Sequence, residues 1–142
     1  MTEMTFLADS ILEQLGDAVV YADETGVIRR WNRAAAALFG YSAANAIGER
    51  LDLIVPKHFQ VAHWRGFDAA GKTGVTNLGG RPMLTQAMHQ TGRKLYIELT
   101  ITLVTPQTGG PASGAVAVAR DVTDRVEQQK AETAARNVAP AT

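Results

Sequence analysis

The sequence contains no cysteine, which excludes disulfides, thiolate metal sites, cysteine nucleophiles and any chromophore linked through a cysteine. It carries no surplus charge: fourteen Lys and Arg balance fourteen Asp and Glu, so the field needed to hold a nucleic-acid backbone or an anionic membrane is missing. Nowhere do apolar residues run on for the roughly 18 positions of a spanning helix, and Met1-Thr2-Glu3 opens without the basic and apolar stretches of a leader. A cytoplasmic location is expected. No glycine-rich phosphate loop follows a strand, and no pair of carboxylates with a histidine sits at metal-ligand spacing. Asp17, Asp23 and Glu24 cluster near a turn, far from any candidate nucleophile, as solvated turn residues do. An enzyme is not expected.

What remains is 142 residues, 46% hydrophobic and 20% charged, enough for one domain with a real core and short flanks. Phe6, Leu7, Ile11, Leu12 and Leu15 fall near helical spacing before Gly16, so residues 1–16 predict a short amphipathic cap helix. Residues 18–22 and 27–31 are β-prone and flank Asp-Glu-Thr-Gly, the pattern of a hairpin. Short helical pieces follow, punctuated by Gly40 and Gly48, with Asn32 and Ser42 as N-caps. In "VPKHFQVAHWRGFDAAGKTG", residues 55–74, Pro56 suits the opening of a longer helix, which Gly71 and Gly74 close. From residue 78 the period becomes two. In "KLYIELTITLV", Leu95, Ile97, Leu99, Ile101 and Leu103 alternate with polar residues and Tyr96, predicting a half-buried strand. It pairs with "MLTQAM" through His89-Gln90-Thr91-Gly92, and "GAVAVARDV" supplies a last strand after the loop "TPQTGGPAS". This order predicts an α+β fold, an antiparallel sheet with helices on one face. The tail, residues 124–142, is polar and alanine-rich with Val126 nearly its only large apolar residue, which reads as a frayed helix or linker.

"ILEQLGDAVVYADETGVIRRWNRAAAALFGYSAANAIG" resembles the start of a PAS sensor domain, where a hairpin leads to Trp-Asn and then to Phe-Gly-Tyr-Ser; "VAVARDVTDRVEQQK" resembles its end, where Asp-Val-Thr passes the chain into a signalling helix. The likeness covers roughly residues 8 to 130. It implies a five-stranded antiparallel sheet, a domain over residues 17–123 between an N-terminal cap helix and a C-terminal signalling helix, and sensing rather than catalysis. Flavin photosensors of the LOV type and photoactive-yellow-protein-like domains are set aside, because each needs a cysteine.

Within the long helix, Phe59, His63, Phe67 and Ala70 are spaced by four, four and three residues and share one stripe, with Gly66 beside it. That places His63 toward a cleft and His58, about 140° away, toward solvent. A neutral imidazole in an apolar pocket is a common way to hold haem iron. The resemblance is closest here to the haem-binding PAS domains of oxygen-sensor kinases, in which the proximal histidine lies on this helix. It implies His63 as ligand, Leu99 and Ile101 as distal apolar residues, and Met83 where that group carries a distal arginine. Met83 could then be a second, displaceable iron ligand, and Arg81, two residues earlier on the same strand face, could steady a bound gas or a propionate.

Plainer roles stand beside these: His63 as a satisfied polar residue, Met83 as gap-filling core, Arg81 as a strand-end charge, and Trp31 and Trp64 as packing residues, Trp64 lying off the His63 stripe. Three functions are therefore carried forward. The first is a haem b sensor of oxygen, carbon monoxide, nitric oxide or redox state, passing its signal to an output domain such as a histidine kinase, cyclase or chemoreceptor. The second is a cofactor-free dimerisation module using Phe6, Leu7, Ile11 and Leu15. The third is a sensor of flavin dinucleotide or a small organic acid. A homodimer through the terminal helices is expected in the first two.

Overall fold

A computed structural model describes residues 3–73, 80–105 and 111–138. The chain runs α1 (Glu3–Gln14), β1 (Ala18–Asp23), β2 (Ile28–Trp31), α2 (Arg33–Phe39), α3 (Ala43–Ala46), α4 (Gln60–Thr73), β3 (Met83–Met88), β4 (Lys94–Val104), β5 (Gly114–Asp121) and α5 (Thr123–Asn137), with 3-10 turns at Leu51–Leu53 and Lys57–Phe59. The five strands form one antiparallel sheet in the order β2-β1-β5-β4-β3. The hairpin and the alternating strand thus fall where the sequence pattern puts them. Asp23 builds the β1–β2 turn by accepting from the Thr25 and Val27 amides at 2.9 and 3.1 Å, and Gly26 adopts φ 82° there.

Register decides which residues share a face. Pairing aligns Val20 with Trp31 and Ala117, and Leu99 with Met83 and Ala119. The face so defined carries Ala18, Val20, Trp31, Leu95, Ile97 and Leu99, all buried against Ala35, Phe39 and Ala46 of α2 and α3. Burial of these side chains contributes roughly 1.5–3 kcal/mol for each large one. Trp31 joins the layers twice: its ring lies 5.3 Å from Phe39, and its indole N–H donates to the Tyr41 carbonyl at 2.9 Å.

Asn32, 4% exposed, is the polar hub of the N-terminal half. Its Oδ1 accepts from the Val19 amide and, as N-cap of α2, from the Ala35 amide; its Nδ2 donates to the Leu12 and Asp17 carbonyls. One side chain therefore ties the end of α1, the first strand and the start of α2 together. At the other end of α2, Gly40 takes the left-handed conformation, φ 84°, and its amide donates to Ala36.

A helix lies at each end, as the resemblance implies, and the two differ in how they are held. Helix α1 buries none of its residues. The tail, read from its composition as a frayed helix or linker and from the resemblance as a signalling helix, is a continuous helix of 15 residues from Thr123, held at its start by Tyr96 of β4 as described below.

Candidate functional site

Strand β5 lies at the centre of the sheet, yet on the helix-covered face it presents Ala115, Ala117 and Ala119 before it ends at Asp121. Ala119 is buried between Ala18 and Leu99, whereas Ala115, Ala117, Ile101 and Leu103 stay half-buried. Small side chains in mid-sheet leave space that large neighbours do not close. The open half is the end where β5 begins, since Gly114 pairs with both Asp23 and Val104.

Helix α4 reaches that same end. Trp64 lies over Gly26 of the β1–β2 turn so closely that a Cβ on the glycine would fall inside the indole ring. The indole N–H donates to Asp52 Oδ1 at 2.6 Å, and the Arg50 guanidinium stacks 4.3 Å from the ring centroid while approaching Asp52 at 3.9 Å. Trp64 was set aside in the sequence as lying off the His63 stripe; the structure makes it the anchor that fixes α4 against the hairpin. The positive-φ glycine of the turn was visible in the sequence, but its aromatic cover, 38 residues later by number (64 − 26), was not.

His63 is half-buried beside this anchor, its ring 4.9 Å from Trp64 edge-on and 6.1 Å from Phe67. Burial holds its pKa below the ordinary histidine value, against a weaker opposing pull from the Asp52 charge, so the ring is neutral at physiological pH. Its Nδ1 is buried and has no hydrogen-bond partner. A buried polar atom left unmatched costs about 1–3 kcal/mol, which makes this nitrogen the one feature of the cleft that the chain itself does not satisfy among the described residues.

The other residues picked from the sequence divide. Phe67 joins His63 and Trp64, its ring 5.4 Å from Trp64. Met83, Leu99 and Ile101 share the inner face of the sheet, Met83 paired with Leu99 and packed with Ile101 against the core cluster. Phe59 does not join the stripe: after Pro56 the backbone winds as a 3-10 turn through Lys57–Phe59 before α4 begins at Gln60. That tighter winding turns Phe59 to the surface, 37% exposed, where its ring lies 4.2 Å from His58. Arg81 likewise precedes β3 rather than sharing its face with Met83, and it is exposed. His58 is exposed as expected. Gly74, expected to close the helix, lies outside the described residues.

The donor set bears on a haem. A directly bound metal ion needs several side chains, and among the described residues no three His, Asp or Glu side chains gather to hold one. Haem iron asks the protein for one or two donors, the porphyrin giving the rest. A neutral imidazole with an unmatched buried nitrogen, two aromatic rings beside it, and a sheet face of alanine, leucine, isoleucine and methionine fit that demand. A separate open groove of about 570 Å³ lies between the end of α1, α2 and the end of β5; its lining includes Glu13, Asp17, Arg33, Arg120 and the inner-face Ala119, but not His63, Trp64, Phe67, Met83, Leu99 or Ile101.

A family profile described as the PAS fold matches residues 12–127. An uncharacterized protein of Azorhizobium caulinodans is 32% identical over 123 residues, 86% of this chain and 16% of that protein. The chain thus spans about one sixth of that relative. Among solved structures, the PAS domain of a protein from Colwellia psychrerythraea superposes with a TM-score of 0.72 at 21% identity, covering 86% of this chain and 99% of that one. An RNA-binding light-oxygen-voltage receptor superposes with a TM-score of 0.70 at 21% identity, covering 94% of this chain and 37% of that one. These likenesses speak to fold alone.

Proposed function

The chain belongs to the PAS fold family, and on that footing we propose that it is a sensory module binding haem b beneath its sheet and passing a change at that site to an output domain through α5. The observation carrying this reading is the buried, unmatched Nδ1 of neutral His63, beside the clustered Trp64 and Phe67 rings at the open end of the sheet. His63 would hold the group from the α4 side. Phe67 and the half-buried Ile101 would give it apolar contact, with Met83 and Leu99 lining the sheet side. When bound, the haem supplies an iron centre able to take oxygen, carbon monoxide or nitric oxide, or to change redox state. The chain's own part is to keep the imidazole neutral by burial, to exclude water with aromatic rings, and to fix α4 through Trp64 and Asp52.

Absorbance of the protein as isolated, and after mixing with haemin, tests this. A Soret band that His63→Ala abolishes or shifts is the expected result. No band under either condition overturns the haem reading, and a flavin spectrum in the isolated protein would replace it with the flavin-dinucleotide reading. The output domain receiving the signal, fused to this one or separate from it, would be of the histidine kinase, cyclase or chemoreceptor kind.

The exposed apolar side chains of α1 favour a second, compatible role, pairing of two copies: Phe6 is 59% exposed and Leu7 61%. A monomeric soluble protein rarely leaves such a run uncovered.

A further inference from the structure

Tyr96 occupies a position on β4 that faces away from the cleft, since its neighbours Leu95 and Ile97 belong to the core cluster. Although it is 7% exposed, most of its polar contacts go to one partner, helix α5. The Val122 amide donates to the Tyr96 carbonyl at 2.9 Å. Thr123 Oγ1 accepts from the Tyr96 amide at 3.0 Å and donates to Asp121 Oδ1 at 2.5 Å, which also receives the Thr123 amide at 2.9 Å. Seven residues further on, Lys130 donates to the Tyr96 hydroxyl and places its ammonium 4.5 Å from the ring centroid. Lys94 lies over the same ring at 5.2 Å. The hydroxyl's pKa is held below the ordinary tyrosine value, first by the Lys130 hydrogen bond and then by that of Lys94.

Seven residues are about two helical turns, or roughly 10 Å along the axis. One strand residue therefore clasps α5 at its start with its backbone and two turns on with its side chain. Little else holds the helix down. Of its 15 residues only Thr123 and Val126 are buried, and the Arg125–Glu98 pair at 3.4 Å joins groups whose side chains are 56% and 35% exposed, a contact of small worth.

We propose that Tyr96 is a latch: its clasp on Lys130 sets whether the first two turns of α5 lie on the sheet or swing free about Val122 and Thr123. Because Leu95 and Ile97 face the core on the opposite side of the same strand, a shift of β4 reaches the latch without passing through a loop. The latch depends on no particular ligand in the cleft, so it stands apart from the haem reading.

Hydrogen exchange of the 142-residue chain, resolved by segment, tests it. Tyr96→Phe and Lys130→Met should each speed exchange in α5 by roughly tenfold, the size expected when one charge-assisted hydrogen bond is lost. The β1 and β2 amides should be unchanged. The double variant should exchange within about twofold of Lys130→Met, because both changes remove one contact, and Lys130→Arg should restore most of the protection. Lys130 is exposed although it reaches Tyr96, so its variants test the idea even should Tyr96→Phe fail to fold. Unchanged α5 exchange in Lys130→Met, a double variant equal to the product of the singles, or equal acceleration across the sheet would overturn the latch.

Discussion

Helices α1 and α5 flank the same domain and are built on opposite terms. Helix α1 is rich in large apolar residues and buries none, with Met4 81% and Leu7 61% exposed. Helix α5 has almost no large apolar residue, yet its first two turns are fastened to the sheet. The contrast teaches that hydrophobicity measures what a helix would gain from cover, whereas attachment is decided by the groups that meet it. Helix α1 meets the Asn32 side chain near its end, through the Leu12 carbonyl, and an exposed Glu13–Arg33 pair at 3.9 Å. Its apolar side chains are left for another surface. Helix α5 meets a strand residue whose backbone and hydroxyl both point at it.

Three experiments sharpen or break this contrast. The largest effect belongs to α1. If its stripe is where two copies pair, Leu7→Glu with Ile11→Glu should weaken self-association on the order of a millionfold, leaving monomers, since each large side chain contributes roughly 2 kcal/mol when buried and each copy supplies two. Sedimentation of the wild type and the double variant gives the answer, and identical oligomeric states would leave α1 without that role. Next comes the hub at the root of α1. Asn32→Ala should destabilise the domain by about 2–4 kcal/mol, because it strands the Val19 and Ala35 amides and the Leu12 and Asp17 carbonyls in a buried setting. A urea midpoint shifted by less than about 1 kcal/mol equivalent would show that water replaces the amide at little cost. The smallest effect is at α5. Val126→Ala should cost about 1.5–2 kcal/mol, the transfer of two methylenes plus a small cavity, read as a lowered thermal midpoint. A loss much larger than this would mean that burial, not the Tyr96 clasp, carries the docking of α5.

How much of this was legible in the sequence follows from the range of each interaction. Alternation along β4 identified its buried face because Leu95, Ile97 and Leu99 report the pleat directly. Asn32 and Ser42 were visible as N-caps because a cap bonds an amide three residues away. The stripe on α4 was legible only in part: Phe67 lies beside His63, but a regular helix drawn through residues 55–74 missed the 3-10 turn that diverts Phe59. The expected place of Arg81 on the strand face of Met83 was missed for a like reason, since period-two reasoning does not say where β3 starts. Trp64 on Gly26 and Tyr96 on Thr123 and Lys130 had no local signal at all, their partners being 27 or more residues away.

The sequence by itself determined most of the elements and the faces of the strands, because periodicity and caps act over a few residues and repeat what local backbone geometry requires, and its Trp-Asn, Phe-Gly-Tyr-Ser and Asp-Val-Thr segments carried the resemblance to the family. It also removed cysteine chemistry outright. Only the tertiary structure decided which polar groups would be met: that His63 Nδ1 would be buried without a partner, that Trp64 would pin α4 to the hairpin, and that a polar tail would lie on the sheet. A side chain's spacing fixes the direction in which it points, but what waits there depends on strands brought together from distant parts of the chain.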